Sequence, residues 1–214
     1  MRPGPRHMRR SALAGLLLAV LWAPLPAQVR GLPIAAGSAP PGVGVSLDMG
    51  FPGNELGGGT AWAATLAYRT GRFGISGTRA LVNHALADAE PAFGALGELV
   101  FVRSATSPFQ LLGFAGAGTM DLDGAGREWR IPAGMSFAFR APTPVATFVS
   151  WLSARAQWTV LDGATETSPG IGAGIDVTWR ERYGVRAAYD RLLRDGTDET
   201  TFGLGLTYTF TSGH

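Results

Sequence analysis

Residues 202–210 read Phe-Gly-Leu-Gly-Leu-Thr-Tyr-Thr-Phe, and this stretch decides the fold class of the chain. Large apolar side chains alternate in it with glycine and threonine. Since successive side chains of a β-strand point to opposite faces, the period of two predicts a strand with one large apolar face and one small or polar face. The same period recurs along most of the chain and therefore predicts an all-β protein.

From residue 42 onward the pattern divides the chain into ten segments. The predicted strands cover about 42–51, 58–69, 71–80, 93–103, 108–119, 129–140, 148–160, 169–180, 183–191 and 202–210. The segment 108–119 is apolar on both faces and fits the pattern least well. Short turns alternate with longer connections, as in an up-and-down meander. The longer connections are predicted at 52–57, 81–92, 120–128, 161–168 and 192–199. The expected fold is an antiparallel up-and-down β-barrel, with ten strands favoured and eight as the alternative.

The amino terminus has the features of a secretory signal peptide over residues 1–27. Arg9 and Arg10 precede an apolar run over 12–23, and Ala27 offers a small residue at the cleavage point. The apolar run is short for a helix that spans a bilayer, which disfavours an uncleaved anchor. The chain is thus expected to be exported and cleaved before Gln28.

The remaining chain divides by composition. Residues 28–41 are rich in proline, glycine and alanine without periodicity, so we expect a flexible lead-in. The barrel is expected over 42–210, and residues 211–214 form a short tail. Translation can begin at Met1 or at Met8, and the pattern does not decide between them.

Charge and composition exclude several classes of function. The sequence holds 18 arginines, no lysine, 16 acidic residues and no cysteine. Because four of the arginines lie in the predicted signal peptide, the mature chain keeps 14 arginines against 16 acids, a net charge of −2. No basic run remains to bind nucleic acid, and disulfides, thiolate metal sites and cysteine nucleophiles are excluded.

Alternation alone fits two kinds of barrel, which differ in the face that meets the solvent. A soluble lipocalin-like barrel binds an apolar ligand and points its large apolar side chains inward, whereas a membrane barrel points them outward. Here the opposite face carries mostly glycine, serine and threonine, with few charges for a water-exposed surface. Aromatic residues also gather at both ends of the predicted strands, as in membrane-interface girdles. Those beside the longer connections are Trp62, Phe93, Trp129, Trp158 and Phe202. The membrane barrel is favoured, and the soluble barrel stays the alternative.

The carboxyl-terminal strand resembles the assembly signal of bacterial outer-membrane barrels, in which alternating apolar residues end in an aromatic one. The matching residues are Leu204, Leu206, Tyr208 and Phe210, although residues 211–214 follow the phenylalanine where such chains usually stop. Over 42–210 the chain is similar to the small outer-membrane β-barrels of the outer-membrane protein A/X and opacity type. The resemblance implies passage through the periplasm with its chaperones, assembly among outer-membrane lipids by the barrel-insertion machinery, and a structural, adhesive or narrow-pore role.

The residues that support catalysis or metal binding are scarce. Of the three histidines, His7 lies in the signal peptide and His214 ends the chain, so only His84 belongs to the barrel. Histidine-dependent hydrolases and histidine-rich metal sites therefore lack their parts. Near Asp121 the chain resembles a calcium loop but lacks the closing glutamate. No catalytic residue, cofactor or metal site is predicted, and we expect a non-enzymatic protein.

The small, polar face is the candidate functional feature, because it carries charges that would lie inside the barrel. These are Asp48, Glu98, Arg130, Arg140, Arg155, Asp176, Arg180, Arg186 and Asp190. Buried charges are costly unless paired, so cross-strand ion pairs are expected, with Arg155 and Arg186 both flanking the strand of Asp176. One interpretation is a lumen plugged by these side chains, and the other is a narrow pore for small solutes. The plug is favoured because small barrels are usually filled by their own side chains.

Overall fold

The computed structural model describes residues 29–35, 41–84, 89–103, 107–122, 124 and 126–210. Within this part of the chain, ten antiparallel strands form one closed barrel. They are β1 (Gly42–Pro52), β2 (Thr60–Thr70), β3 (Phe73–Asn83), β4 (Ala89–Arg103), β5 (Phe109–Leu122), β6 (Gly126–Pro142), β7 (Ala146–Leu161), β8 (Ala164–Trp179), β9 (Tyr183–Leu192) and β10 (Glu199–Phe210). Each strand pairs with its neighbour in the chain, and β1 pairs with β10 from Val43–Phe210 to Pro52–Thr201. The predicted fold class is confirmed, with ten strands.

Helix is confined to one 3₁₀ turn over Asn54–Leu56 in the part of the chain that the structure describes. No helix among those residues is long and apolar enough to cross a bilayer. The predicted signal peptide and the tail 211–214 lie outside the described residues and stay predictions.

The side chains alternate between the outer surface and the lumen with the predicted facing. On β10, Leu206 is 62% exposed, whereas Gly205 beside it is buried. On β7, Leu152 points outward and Ser153 inward, where it is 3% exposed. Large apolar residues thus cover the outside, and small or polar residues line most of the lumen. This is the facing of a membrane barrel and the inverse of a soluble one.

The two ends of the barrel differ, and we name them by their connections. The turn end carries the β2–β3, β4–β5, β6–β7 and β8–β9 connections together with the start of β1 and the end of β10. The loop end carries the other five connections. The strands β5 to β8 have 14, 17, 16 and 16 residues and extend further than β1 to β3, which have 11 each.

The predicted long connections at 120–128 and 161–168 are therefore wrong. The chain remains in strand to Leu122 and again from Gly126, and β7 and β8 are joined by Asp162 and Gly163 alone. Those two residues have φ angles of 49° and 80°. An Asp-Gly pair with two positive φ values makes the tight two-residue turn of a β-hairpin, whose twist suits the flanking strands. The polar residues of the two predicted connections instead form the loop-end parts of the long hairpins β5–β6 and β7–β8.

The segment 29–35, which belongs to the predicted flexible lead-in 28–41, instead lies inside the barrel. Val29, Leu32 and Ile34 are 3%, 7% and 5% exposed. Val29 and Leu32 pack against lumen-facing residues near the loop end, and Ile34 packs in mid-barrel against a cluster that includes Phe114 of β5. We call residues 29–35 the inner segment. Its packing also explains why 108–119 is apolar on both faces, because the inward face of β5 meets the inner segment.

Candidate functional site

The lumen near the loop end holds a cluster of ion pairs. This loop-end cluster comprises Arg30, Glu128, Arg130, Glu166, Arg194 and Glu199. At its centre, Arg130 donates from Nε to Glu128 Oε1 at 2.5 Å and from Nη1 to Glu199 Oε2 at 2.8 Å. Arg194 pairs with Glu199 and extends the cluster to the rim. Arg30 of the inner segment reaches Glu128, with Nη1 3.4 Å from Oε2. Every charge of the cluster thus has a partner of opposite sign.

A second ion pair lies against the inner face of the barrel wall, in the middle of the lumen. Arg155 on β7 donates from Nη1 and Nη2 to the two carboxylate oxygens of Asp190 on β9, at 2.6 and 2.7 Å. The pair passes over β8, where Gly170 and Gly172 leave room for it. A Cβ atom at Gly170 would lie 2.7 Å from Arg155 Cζ, and one at Gly172 would lie 3.0 Å from Asp190 Oδ1. The sequence predicts pairs between adjacent strands, but this pair joins next-nearest strands because the strand between them carries glycine.

A third group of charges lies toward the turn end. Arg186 on β9 donates from Nε to Asp176 Oδ1 at 2.5 Å. The indole Nε1 of Trp151 donates to the other oxygen of Asp176 at 3.0 Å. Asp48 accepts a hydrogen bond from Ser46 at 2.5 Å. A further ion pair joins Arg69 of β2 to Glu98 of β4.

Eight of the nine predicted lumen residues face the lumen. Seven of them belong to the groups just described: Asp48, Glu98, Arg130, Arg155, Asp176, Arg186 and Asp190. Arg140 faces inward at the turn end and has no ion pair among the described residues; it borders a pocket of about 30 Å³. Arg180 does not join them, because it lies exposed in the β8–β9 turn with a φ of 51°.

Sequence reasoning missed several partners, chiefly those at the loop end. Glu128 and Glu199 lie in segments predicted as connections, yet both continue the inward alternation of β6 and β10. Extending the period of two beyond the predicted strand ends would have identified them. Arg69 lies within the predicted strand 58–69 and on the inward face of β2, so the alternation of that strand would itself have identified it. Arg30 gave no such signal, since the inner segment has no periodicity.

The lumen also contains a cavity of about 160 Å³ beside the inner segment and toward the turn end. Hydroxyl groups and charged side chains form much of its wall. Its polar lining consists of Ser46, Asp48, Thr65, Arg69, Ser76, Thr78, Glu98, Asp176, Thr178, Arg186, Thr207 and Thr209. A space of this size holds about five water molecules at the ~30 Å³ that each occupies in the liquid. The lumen toward the turn end is therefore largely polar and has room for water, with the inner segment forming part of the cavity wall.

The lumen brings together few groups that could perform chemistry. No group of three or more potential metal-ligating residues occurs among the residues that the structure describes. His84 lies at the loop end, with Nε2 3.5 Å from Glu90 Oε2. The absence of a catalytic centre, a cofactor and a metal therefore stays a prediction.

Comparison with known proteins identifies solved structures that share this architecture. No family model and no curated protein matches the chain. Among solved structures, the KdgM porin in complex with disordered oligogalacturonate has 9% identity and a TM-score of 0.50, over 78% of this chain and 99% of that one. The chain has the fold of outer-membrane β-barrels. Two further structures are less similar. The N-terminal β-barrel domain of Pseudomonas aeruginosa OprF has 12% identity and a TM-score of 0.41, over 81% of this chain and 99% of that one. The outer-membrane enzyme PagL has 8% identity and a TM-score of 0.44, over 78% and 99%.

Proposed function

We propose that the mature chain is a non-enzymatic integral outer-membrane protein with a closed lumen and a structural or surface-interaction role. The observation that carries the proposal is that side chains and the inner segment fill the lumen at the loop end and in the middle of the barrel. The Arg155 side chain is 0% exposed, its partner Asp190 is 5% exposed, and the inner segment occupies the opposite side. A lumen filled in this way offers no continuous water path.

The outer surface supports insertion into a bilayer. Near the turn end, Phe109 stacks on Phe137 with ring centroids 5.2 Å apart, and Tyr208 meets Tyr183 at the same separation. Near the loop end, Phe202 stacks on an aromatic residue of β1 at 6.2 Å. Exposed apolar side chains cover the strands between these two levels. Two aromatic bands that flank an apolar belt fit the two interfaces of a membrane.

The long hairpins β5–β6 and β7–β8 support a role at the surface. A transmembrane strand needs about 9–11 residues, whereas β6 has 17 and β7 and β8 have 16 each. The surplus lies at the loop end, where Asp121 and Arg127 form an ion pair with both side chains more than half exposed. The hairpins thus provide a polar platform on one side of the barrel, suited to contact with another macromolecule.

Export and assembly belong to the same proposal. The chain would lose its signal peptide near Gln28, pass the periplasm with chaperones and be inserted among outer-membrane lipids by the barrel-insertion machinery. Leu204, Leu206 and Phe210 of the assembly signal point outward on β10, where an insertion partner can reach them. A relationship to the outer-membrane protein A/X and opacity group would fit this route.

A narrow pore is the second candidate, because the polar cavity of about 160 Å³ reaches the turn end. Cell fractionation, gel mobility with and without heating, and planar-bilayer recording test the two candidates together. We expect a heat-modifiable outer-membrane protein that gives no steady conductance. Large, steady conductance would favour the pore. Recovery of a soluble periplasmic form without detergent would contradict the membrane barrel.

A further inference from the structure

We propose that the inner segment is a removable stopper for a continuous polar path through the barrel, and that the barrel conducts small hydrated cations when the segment leaves. The inference rests on the membrane-inserted barrel proposed above but goes beyond its closed lumen. It assigns the closure to residues 29–35 rather than to the ion pairs. Four observations carry it: the shape of the lumen, the fit of the segment, its attachment and the charge of the path.

The two sides of the lumen are filled in different ways. On the side of β6 to β9, long side chains such as Arg130, Trp151 and Arg155 occupy the space themselves. On the side of β1 to β4, the lumen-facing residues are mostly small. They include Gly50, Ala61, Ala63, Ala80 and Ala92. These small residues cannot fill a barrel of this width, and the inner segment occupies the room that they leave.

The barrel wall is shaped to receive the segment. A Cβ atom at Gly50 would lie 1.9 Å from the carbonyl oxygen of Gly31, and one at Gly203 would lie 2.6 Å from Pro33 Cγ. Neither Gly50 nor Gly203 has a positive φ, so the backbone does not demand glycine there. The two glycines instead allow the inner segment to approach the wall closely.

The segment is held to the wall chiefly by side-chain contacts. Among the described residues, the one backbone–backbone hydrogen bond of the segment is internal, from Leu32 N to Val29 O at 3.2 Å. No strand ladder therefore has to break when it leaves. Its ion pair with the wall is Arg30 with Glu128 at 3.4 Å, and Arg30 Nε is buried without a hydrogen-bond partner in the part of the chain that the structure describes. Burial of the apolar side chains of Val29, Leu32 and Ile34 supplies most of the free energy that keeps the segment in the lumen.

Departure of the segment would join the vacated space to the cavity of about 160 Å³ and so connect the two ends of the barrel. The charges that remain along this path favour cations. The acidic residues are Asp48, Glu90, Glu98, Glu128, Glu166, Asp176, Asp190 and Glu199, and the basic ones are Arg69, Arg72, Arg130, Arg140, Arg155, Arg186 and Arg194. Once Arg30 has left with the segment, eight acids stand against seven arginines, and the net charge of the path is −1.

The test uses thiol labelling, since the natural chain has no cysteine. Ala63→Cys places a thiol beneath the inner segment, and Ser153→Cys places a control thiol on the filled side; both positions are buried. Each is combined with the natural segment, with Leu32→Asp and Ile34→Asp together, or with deletion of residues 29–35. The aspartates expel the segment by placing charge in apolar clusters, whereas the deletion removes it without adding charge. A heat-modifiable band confirms that each variant is folded.

We expect a small cationic methanethiosulfonate to label the thiol at residue 63 at least tenfold faster in both altered backgrounds, while labelling at residue 153 stays slow. The same barrels should show steady, cation-selective conductance that the natural chain lacks. A folded segment-free barrel that neither conducts nor gains labelling overturns the stopper, as does anion selectivity or failure of both variants to fold. Steady conductance of the natural chain contradicts the closed lumen instead, so the two failures are distinguishable.

Discussion

Removal of the Asp190 carboxylate tests whether the lumen is dry at the level of the inner segment. Asp190→Ala leaves Arg155 with its side chain fully buried and with one side-chain hydrogen bond among the described residues, from Nε to Gln157 Oε1 at 3.4 Å. Two charge-assisted hydrogen bonds are lost, at 2.6 and 2.7 Å, and each contributes roughly 1.5–3 kcal/mol. Breaking a buried ion pair on one side costs about 3–5 kcal/mol. We therefore expect the free energy of unfolding to fall by about 3–5 kcal/mol.

Equilibrium unfolding in detergent or lipid, followed by the fluorescence of the five tryptophans that remain after the predicted signal peptide, measures this change. Asp121→Ala is the matched control, because it removes the same side chain from an exposed ion pair and should change stability little. The double variant Arg155→Leu with Asp190→Ala should recover much of the loss, since no unpaired charge remains. Equal, small effects of Asp190→Ala and Asp121→Ala would show that water screens Arg155 and would refute the dry lumen.

Three further predictions concern the two faces of the wall and the loop end. Leu206→Arg, in the outward belt, should lower the free energy of unfolding by roughly 2–4 kcal/mol, and Thr207→Arg, which points into the cavity, should cost less; equal losses would contradict the assigned facing. Gly174→Ala places a Cβ atom 2.4 Å from the buried indole of β7 and should cost roughly 1–3 kcal/mol, whereas Gly77→Ala, with nothing within 4 Å, should be tolerated in the same unfolding assay. Burial raises the pKa of Glu55, but hydrogen bonds that the backbone N–H and the hydroxyl of Thr200 donate to its carboxylate outweigh this effect. They hold the pKa of Glu55 below its ordinary value of 4.5. Its stabilisation should therefore be complete above pH 4.5 and lost as the pH falls through the lowered pKa, so that melting temperatures of the natural chain and Glu55→Gln converge in acid.

The fold class was predictable because alternation indicates the strands, while the small, weakly charged face and the aromatic strand ends indicate which face lies inside. In β10, each large residue that the period assigns to one face lies outside, and the glycines and threonines between them lie inside. The inward position of Arg155, Asp176 and Asp190 follows from the same alternation along β7, β8 and β9. Local sequence is sufficient for these features, since each depends only on which side of a strand a residue occupies.

Other features depend on contacts that no local pattern records. The partner of Arg155 could not be read from strand order, because the pair spans β8 through the space above its glycines. The inner segment has no period, since it follows the shape of the lumen rather than a ladder of hydrogen bonds. The Asp162–Gly163 turn is a different case: the pair is a known hairpin signal, and the polar residues around it concealed that signal.

The pairing of β1 with β10 has a consequence for the order in which the protein forms. Val43 and Phe210 are neighbours across this seam although almost the whole barrel sequence separates them. Until the last strand arrives, the sheet has two open edges, and each presents unpaired backbone groups that can recruit another chain. Closure is the contact of highest sequence separation and carries the largest loop-closure entropy, so we expect it to come late. The strand that bears the predicted assembly residues is thus also the strand that removes both edges, and the open sheet is exposed to self-association throughout the interval before this strand docks.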